Sequence, residues 1–187
     1  MKIMDKRKIY QAVEDRDNPD EIEQNGPFLC RRKDAWLGIG YYFWDYFIEL
    51  AHWWGSECYN GNYVICLSHC DAKFPNTFDL YNNPEHLKAI RTLCKELSLQ
   101  YPNKTITVPF VLEMLKDHSD FLTQYQAIRA KADRCWRYSP RISFVAKNSA
   151  YLEIIPPIQI CVLKKAFLLD GEYKIVYPDK YMSEGYV

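Results

Sequence analysis

No apolar run in this 187-residue chain approaches the roughly 20 residues needed to cross a bilayer. The opening residues, MKIMDKRKIYQ, also lack the apolar core of a signal peptide. A place in the cytoplasm and no membrane partner are therefore expected. Net charge is missing too: 24 Lys and Arg stand against 24 Asp and Glu, so no global field recruits nucleic acid or anionic lipid. Seven cysteines, an odd number without an export signal, read as reduced thiols rather than a disulfide framework. Cys66, His69 and Cys70 lie near one another, but their spacing fits no common zinc pattern and no second ligand pair accompanies them, so no metal is expected. Flexible linkers, low-complexity tracts and internal repeats are absent as well. One domain over 1–187 is expected.

What the chain has is apolar and aromatic bulk, 48% hydrophobic and 16% aromatic, enough to build a core. Its most informative stretch is Ala35 to Gly55, AWLGIGYYFWDYFIELAHWWG. Gly38 and Gly40 precede Tyr41, Tyr42 and Phe43, and glycine at such spacing permits a sharp turn or a close ligand approach. The aromatic run favours a short strand. Asp45 is placed to cap a following helix, on which Phe47, Leu50, Ala51 and Trp54 share one face, and Gly55 can stop it.

Around this stretch, Lys8 to Val13 alternates as a strand, Asp20 to Gln24 forms a short helical piece, and Tyr63 to Ser68 reads as a buried strand. Pro84 opens a helix bearing Leu87, Ile90, Cys94 and Leu97 on one side. A second follows Thr107 and Pro109, with Val111, Leu112 and Leu115. A third, after Asp120, places Phe121, Tyr125, Ile128 and Ala132 on a stripe. These make a helical insertion over about 79–138. Strands return at Arg141 to Val145, Ile158 to Leu163 and Tyr173 to Tyr177. Short strands mixed with helices in no strict βαβ rhythm indicate an α+β domain, with two small, mostly antiparallel sheets and a cleft between them.

The run WLGIGYYFWD resembles the second signature block of the ADP-ribosyltransferase fold, in the branch of poly(ADP-ribose) polymerases and bacterial toxin-like proteins; the matching residues are Gly38, Gly40, Tyr41, Tyr42 and Phe43. PPIQICV and YQAIR are similar to elements of a bacterial group of that fold that carries WLGxGxYFW. The resemblance implies an ADP-ribosyltransferase-like split pair of sheets with NAD as substrate. It implies transfer of ADP-ribose to an unknown acceptor, protein or nucleic acid, or to water in an NAD glycohydrolase, with a neutralising partner protein as a further implied partner. Tyr42 would stack on the nicotinamide ring. Gln11 and Ala12 stand where the family has a histidine that holds a ribose hydroxyl and a glycine that holds the nicotinamide amide. Gln11 keeps both a donor and an acceptor. Arg129, in YQAIR, is implied to contact the diphosphate or the substrate. The run Arg31, Arg32, Lys33 is either a solvated loop or a cleft wall that meets a pyrophosphate.

Transfer from NAD breaks the nicotinamide–ribose bond through a cation-like centre, which a nearby anion stabilises. The family uses a glutamate at the start of its fifth core strand, and two positions compete for that place. Gln159, in PPIQICV, would put a neutral amide there. Glu172, in GEYKIVYPDKY, which resembles the polymerase element NEYIVYD, would supply the charge. With Glu172 the chain is a charge-assisted mono-ADP-ribosyltransferase; with Gln159 it is a weakened or inactive member that binds a nucleotide or partner protein through the same cleft. A nucleic-acid binder using Arg129, Lys131, Arg134 and Arg137 around Trp136 is the third option.

Overall fold

The structure is a computed structural model and describes residues 5–132, 140–146 and 150–182. Strand β1 (Lys6–Glu14) pairs antiparallel with β3 (Tyr63–Asp71) along its whole length, from Lys6 opposite Asp71 to Glu14 opposite Tyr63. Between them in the chain come helix α1 (Pro19–Asn25), β2 (Tyr41–Asp45) and helix α2 (Ile48–Tyr59). The middle of the chain holds β4 (Thr77–Asp79), α3 (Pro84–Gln100), α4 (Val108–His118), α5 (Phe121–Gln124) and β5 (Ala127–Lys131). Then follow β6 (Arg141–Ser143), β7 (Tyr151–Glu153), β8 (Ile158–Val162) and β9 (Leu169–Tyr177).

The domain is α+β, but its main strands form one sheet, in the order β4-β5-β8-β2-β1-β3-β9, where two small sheets were expected. Only β4 and β5 run parallel among these neighbours. The sheet is continuous because β2 pairs with both β8 and β1, yet the second contact is minimal: Ile9 opposite Asp45 and Tyr10 opposite Trp44. Beyond Tyr10 the strands part, so the sheet forks between β1 and β2. The two-stranded β6–β7 hairpin stands apart from it.

Buried residues on both faces hold this sheet. Ile9, Phe43, Val64 and Ile160 pack on one side; Tyr10, Trp44 and Ile65 on the other lie under Leu50 and Ala51 of α2. Tyr125, Ile128 and Ala132 lie outside the expected third helix, which stops at Gln124. Ile128 sits in β5 between β4 and β8, and its neighbours Ala127, Arg129 and Ala130 are buried too. Burial on both faces selects a strand there despite the helical spacing. The expected insertion is therefore interrupted by β5, and its end, 133–138, lies outside the described residues.

Two expectations for the Asp45–Gly55 stretch are also corrected. Asp45 ends β2, and the N-cap of α2 is Phe47, with no side-chain cap. Gly55 lies inside α2, which runs on to Tyr59. A Cβ on Gly55 would stand 2.3 Å from the Tyr63 ring. That ring stacks on Tyr177 at 5.1 Å, and its hydroxyl meets His52 Nδ1 at 2.9 Å, so it has nowhere to move. Gly55→Ala is expected to cost about 1–2 kcal/mol, since overpacking of about 1–3 kcal/mol exceeds the gain of up to about 1 kcal/mol in helix propensity. The midpoint of urea unfolding checks it.

Candidate functional site

A cavity of about 600 Å³ occupies the fork, within the range of small-molecule sites. The diverging half of β1 supplies Gln11, Ala12 and Val13; β2 supplies Tyr42 and Trp44; α2 adds Trp53, Trp54 and Tyr59. The loop before β2 contributes Phe28 to Arg32 and Asp34 to Trp36, and Lys131, Ala132 and Gln159 close the remaining wall. Gln11 and Ala12, Tyr42, and Gln159, from three distant parts of the sequence, thus meet around one space. Cations from the Arg31–Lys33 run line it as well: Arg31 and Arg32.

The floor is set by Gln159, 6% exposed, opposite Trp44 in the β2–β8 register. The Trp36 indole N–H donates to its Oε1 at 2.7 Å. An indole nitrogen can only donate, so the amide oxygen must face Trp36 and the NH₂ must face the other way. Nε2 has no hydrogen-bond partner among the described residues. The buried amide therefore offers a donor, the positive end of its dipole, to whatever occupies the cavity.

Tyr42 is positioned by the loop ahead of it. Gly38 adopts φ +82°, a left-handed turn open to glycine. The chain folds back so that the Tyr42 hydroxyl donates to the Gly38 carbonyl at 2.8 Å and accepts from the Leu37 N–H at 3.0 Å. Burial raises the phenol pKa, reinforced by the nearby Cys161 thiol, so the hydroxyl remains a donor. Lys116 of α4 donates to the Leu37 carbonyl at 3.3 Å from behind the loop, and burial lowers its pKa. Gly38 and Gly40 shape this turn without lining the cavity, and Tyr41 points away from it, under the Lys165 ammonium at 5.3 Å.

Gln11 is spent on structure. Its Oε1 accepts from the Phe28 N–H at 2.9 Å and from the Tyr173 hydroxyl at 2.7 Å. Its Nε2 donates to the Phe28 carbonyl at 3.0 Å and to the Tyr42 carbonyl at 3.3 Å. All four hydrogen-bonding places are filled, so this side chain ties the wall loop into the mouth of the fork instead of reaching for a ligand.

Two other sequence candidates lie elsewhere. Glu172 is on β9, three strands from β2, or about 14 Å at ordinary strand spacing. It faces His69 Nδ1 at 3.8 Å and Lys174 at 3.8 Å, and does not line the cavity. Arg129 is buried on the far side of β2, where its Nη2 meets Asp45 Oδ2 at 2.9 Å and its Nη1 meets Asp79 Oδ2 at 3.0 Å. Its guanidinium lies between the rings of Phe74, 4.6 Å away, and Tyr81, 5.0 Å away. Arg134, Trp136 and Arg137 of the nucleic-acid option lie outside the described residues.

The cavity has one carboxylate among its lining residues, Asp34, clamped by Arg32 through Nε at 2.9 Å and Nη2 at 2.8 Å. Lys131 pairs with Glu153 at 2.6 Å. The tryptophan wall was missed by the sequence reading, although Trp53 and Trp54 follow the same signature and flank Trp44 at 6.0 and 6.3 Å between ring centres. No described group of three or more His, Cys, Asp or Glu could hold a metal. No helix among the described residues is long and apolar enough to cross a membrane. The chain matches no known protein family, no curated protein and no solved structure.

Proposed function

We propose that the chain is an ADP-ribosyltransferase-like protein that binds NAD in the forked cavity, nicotinamide against Tyr42, and transfers ADP-ribose to an acceptor or to water slowly or not at all. The observation that carries this reading is the Trp36–Gln159 hydrogen bond. Aromatic walls suit the flat rings of a dinucleotide, and the cation Arg31 on the wall suits its phosphates. Binding and turnover part company at Gln159. Cleavage of the nicotinamide bond builds positive charge on the ribose, and the pinned amide turns its N–H end toward that charge. A carboxylate there would stabilise the transition state; this dipole opposes it.

Titration calorimetry with NAD and with ADP-ribose tests the reading. Both are expected to bind, and Tyr42→Ala is expected to weaken NAD about tenfold, the scale of one lost ring stack. Nicotinamide release by the wild type is expected near the uncatalysed rate. Absence of binding by either ligand at millimolar concentration removes the proposal, while fast nicotinamide release removes the slow-turnover part of it.

A further inference from the structure

A second cavity, of about 480 Å³, opens over the two arginines that share Asp45, and the NAD reading makes no use of it. Its wall is polar, with Arg7 from the start of β1, Lys73 from the β3–β4 loop, Asp79 of β4, Asn82 ahead of α3, and Arg129 of β5. Arg7 has bonding capacity to spare. Asp45 holds it through Nε, and the rings of Tyr46 and Phe74 lie 5.1 and 5.8 Å from its guanidinium carbon. Both of its NH₂ groups lack an acceptor among the described residues. Lys73 is exposed, and its ammonium has no partner among those residues either. Asp79, the carboxylate in the wall, is already engaged: Oδ2 accepts from Arg129 at 3.0 Å, and Oδ1 accepts from the N–H groups of Tyr81 at 2.8 Å and Asn82 at 2.9 Å. Phe74 takes a left-handed φ of +49°, an uncommon conformation for so bulky a residue, and its ring also lies 4.6 Å from the Arg129 guanidinium.

We infer that this cavity binds a phosphate group, free or carried by a small sugar phosphate, on the NH₂ edge of Arg7 and the ammonium of Lys73. Arg7, Lys73 and Arg129 bring three positive charges, and Asp45 and Asp79 return two negative ones, so an anion meets a net attraction. A guanidinium held at Nε presents its free N–H groups in a fixed fork, which suits an oxyanion. That fork alone would use both oxygens of a carboxylate. A tetrahedral phosphate keeps further oxygens for Lys73 and for the Asn82 amide. The one aromatic ring in the wall, Phe74, already lies against both guanidinium groups, which leaves no platform for a base and favours a hydroxylated phosphate over a nucleotide. The inference stands whether or not the forked cavity takes NAD.

Phosphorus NMR titrations of the full chain with inorganic phosphate and with ribose 5-phosphate, at constant ionic strength set with chloride, test it. Saturable binding with a Kd of about 1 mM or tighter is expected. Arg7→Gln is expected to weaken it about tenfold and Lys73→Gln about threefold, the scale of charge-assisted hydrogen bonds lost at a partly solvated site. Arg31→Gln, in the wall of the forked cavity, is expected to leave it unchanged. Tighter binding of ribose 5-phosphate than of inorganic phosphate assigns the site to a sugar phosphate, and equal binding assigns it to free phosphate. If Arg7→Gln loses its native circular dichroism, Lys73→Glu carries the same comparison from an exposed position. Absence of saturation by about 20 mM, some twentyfold above the expected Kd, overturns the inference. So do Arg7 and Lys73 variants that bind like the wild type, or weakening by Arg31→Gln in their place.

Discussion

Gln159→Glu is expected to raise nicotinamide release from NAD by about 10²–10³-fold, the usual worth of one well-placed electrostatic group in a water-excluded site. The exchange keeps the shape of the side chain. Trp36 can still donate its indole N–H, now to one carboxylate oxygen, and the second oxygen takes the place of Nε2 at the cavity floor. On the proposed NAD reading, the positive end of a dipole is thereby replaced by an anion where the ribose would become cation-like. Burying a carboxylate has a cost at a position 6% exposed, and part of that cost returns through the charge-assisted bond from Trp36. The gain should therefore shrink in Gln159→Glu with Trp36→Phe, which leaves the carboxylate unheld. Single-turnover assays at saturating NAD separate this from an affinity change. A folded, NAD-binding Gln159→Glu protein with wild-type turnover would sink the electrostatic account.

The second large effect concerns stability. Asp45→Ala is expected to cost about 3 kcal/mol, the low end for breaking a buried ion pair, because it removes the charge shared by Arg7 and Arg129 and leaves the buried Arg129 guanidinium with Asp79 alone. Asp45 is 1% exposed and joins two strands at once: Arg7 Nε of β1 approaches Oδ1 at 2.5 Å, while Arg129 of β5 holds Oδ2 through Nε at 3.1 Å and Nη2 at 2.9 Å. This anchor sits at the closed end of the fork, where Ile9 faces Asp45 in the only stretch in which β1 and β2 pair. Urea unfolding measures the loss. Asp45→Asn, which keeps the oxygen and removes the charge, is expected to fall between the two. A change below about 1 kcal/mol for alanine would mean that the network is solvated and contributes little.

Asp45 also illustrates where sequence legibility ended. A carboxylate two residues before an amphipathic stretch has the local signature of a helix cap, and nothing local distinguishes that from an ion-pair anchor. Its partners lie 38 residues upstream and 84 residues downstream. Arg129 failed for the complementary reason: YQAIR carries helical spacing with Phe121, while the tertiary fact that β4 and β8 flank it is invisible in the window. By contrast, α4 was written locally. Thr107 accepts from the Phe110 N–H, Pro109 stands in the first turn, and Val111 and Leu112 are buried where the stripe put them. The β2–α2 stretch was legible as strand then helix, though its glycine marked a close approach rather than an end.

For the cavity, the signature near Tyr42 and the PPIQICV element pointed to residues that the fold gathers at one fork. The chemistry of Gln11 was not readable, because an amide with spare donor and acceptor in sequence is fully occupied once Phe28 and Tyr173 close on it. Nor was the orientation of Gln159, which depends on an indole 123 residues away.

Four of the chain's five tryptophans, Trp36, Trp44, Trp53 and Trp54, border the same space. The molecule's own ultraviolet emission is thereby concentrated beside the cavity, so a guest that stacks there dims or shifts most of the light the protein gives out, and one that binds elsewhere leaves it nearly untouched.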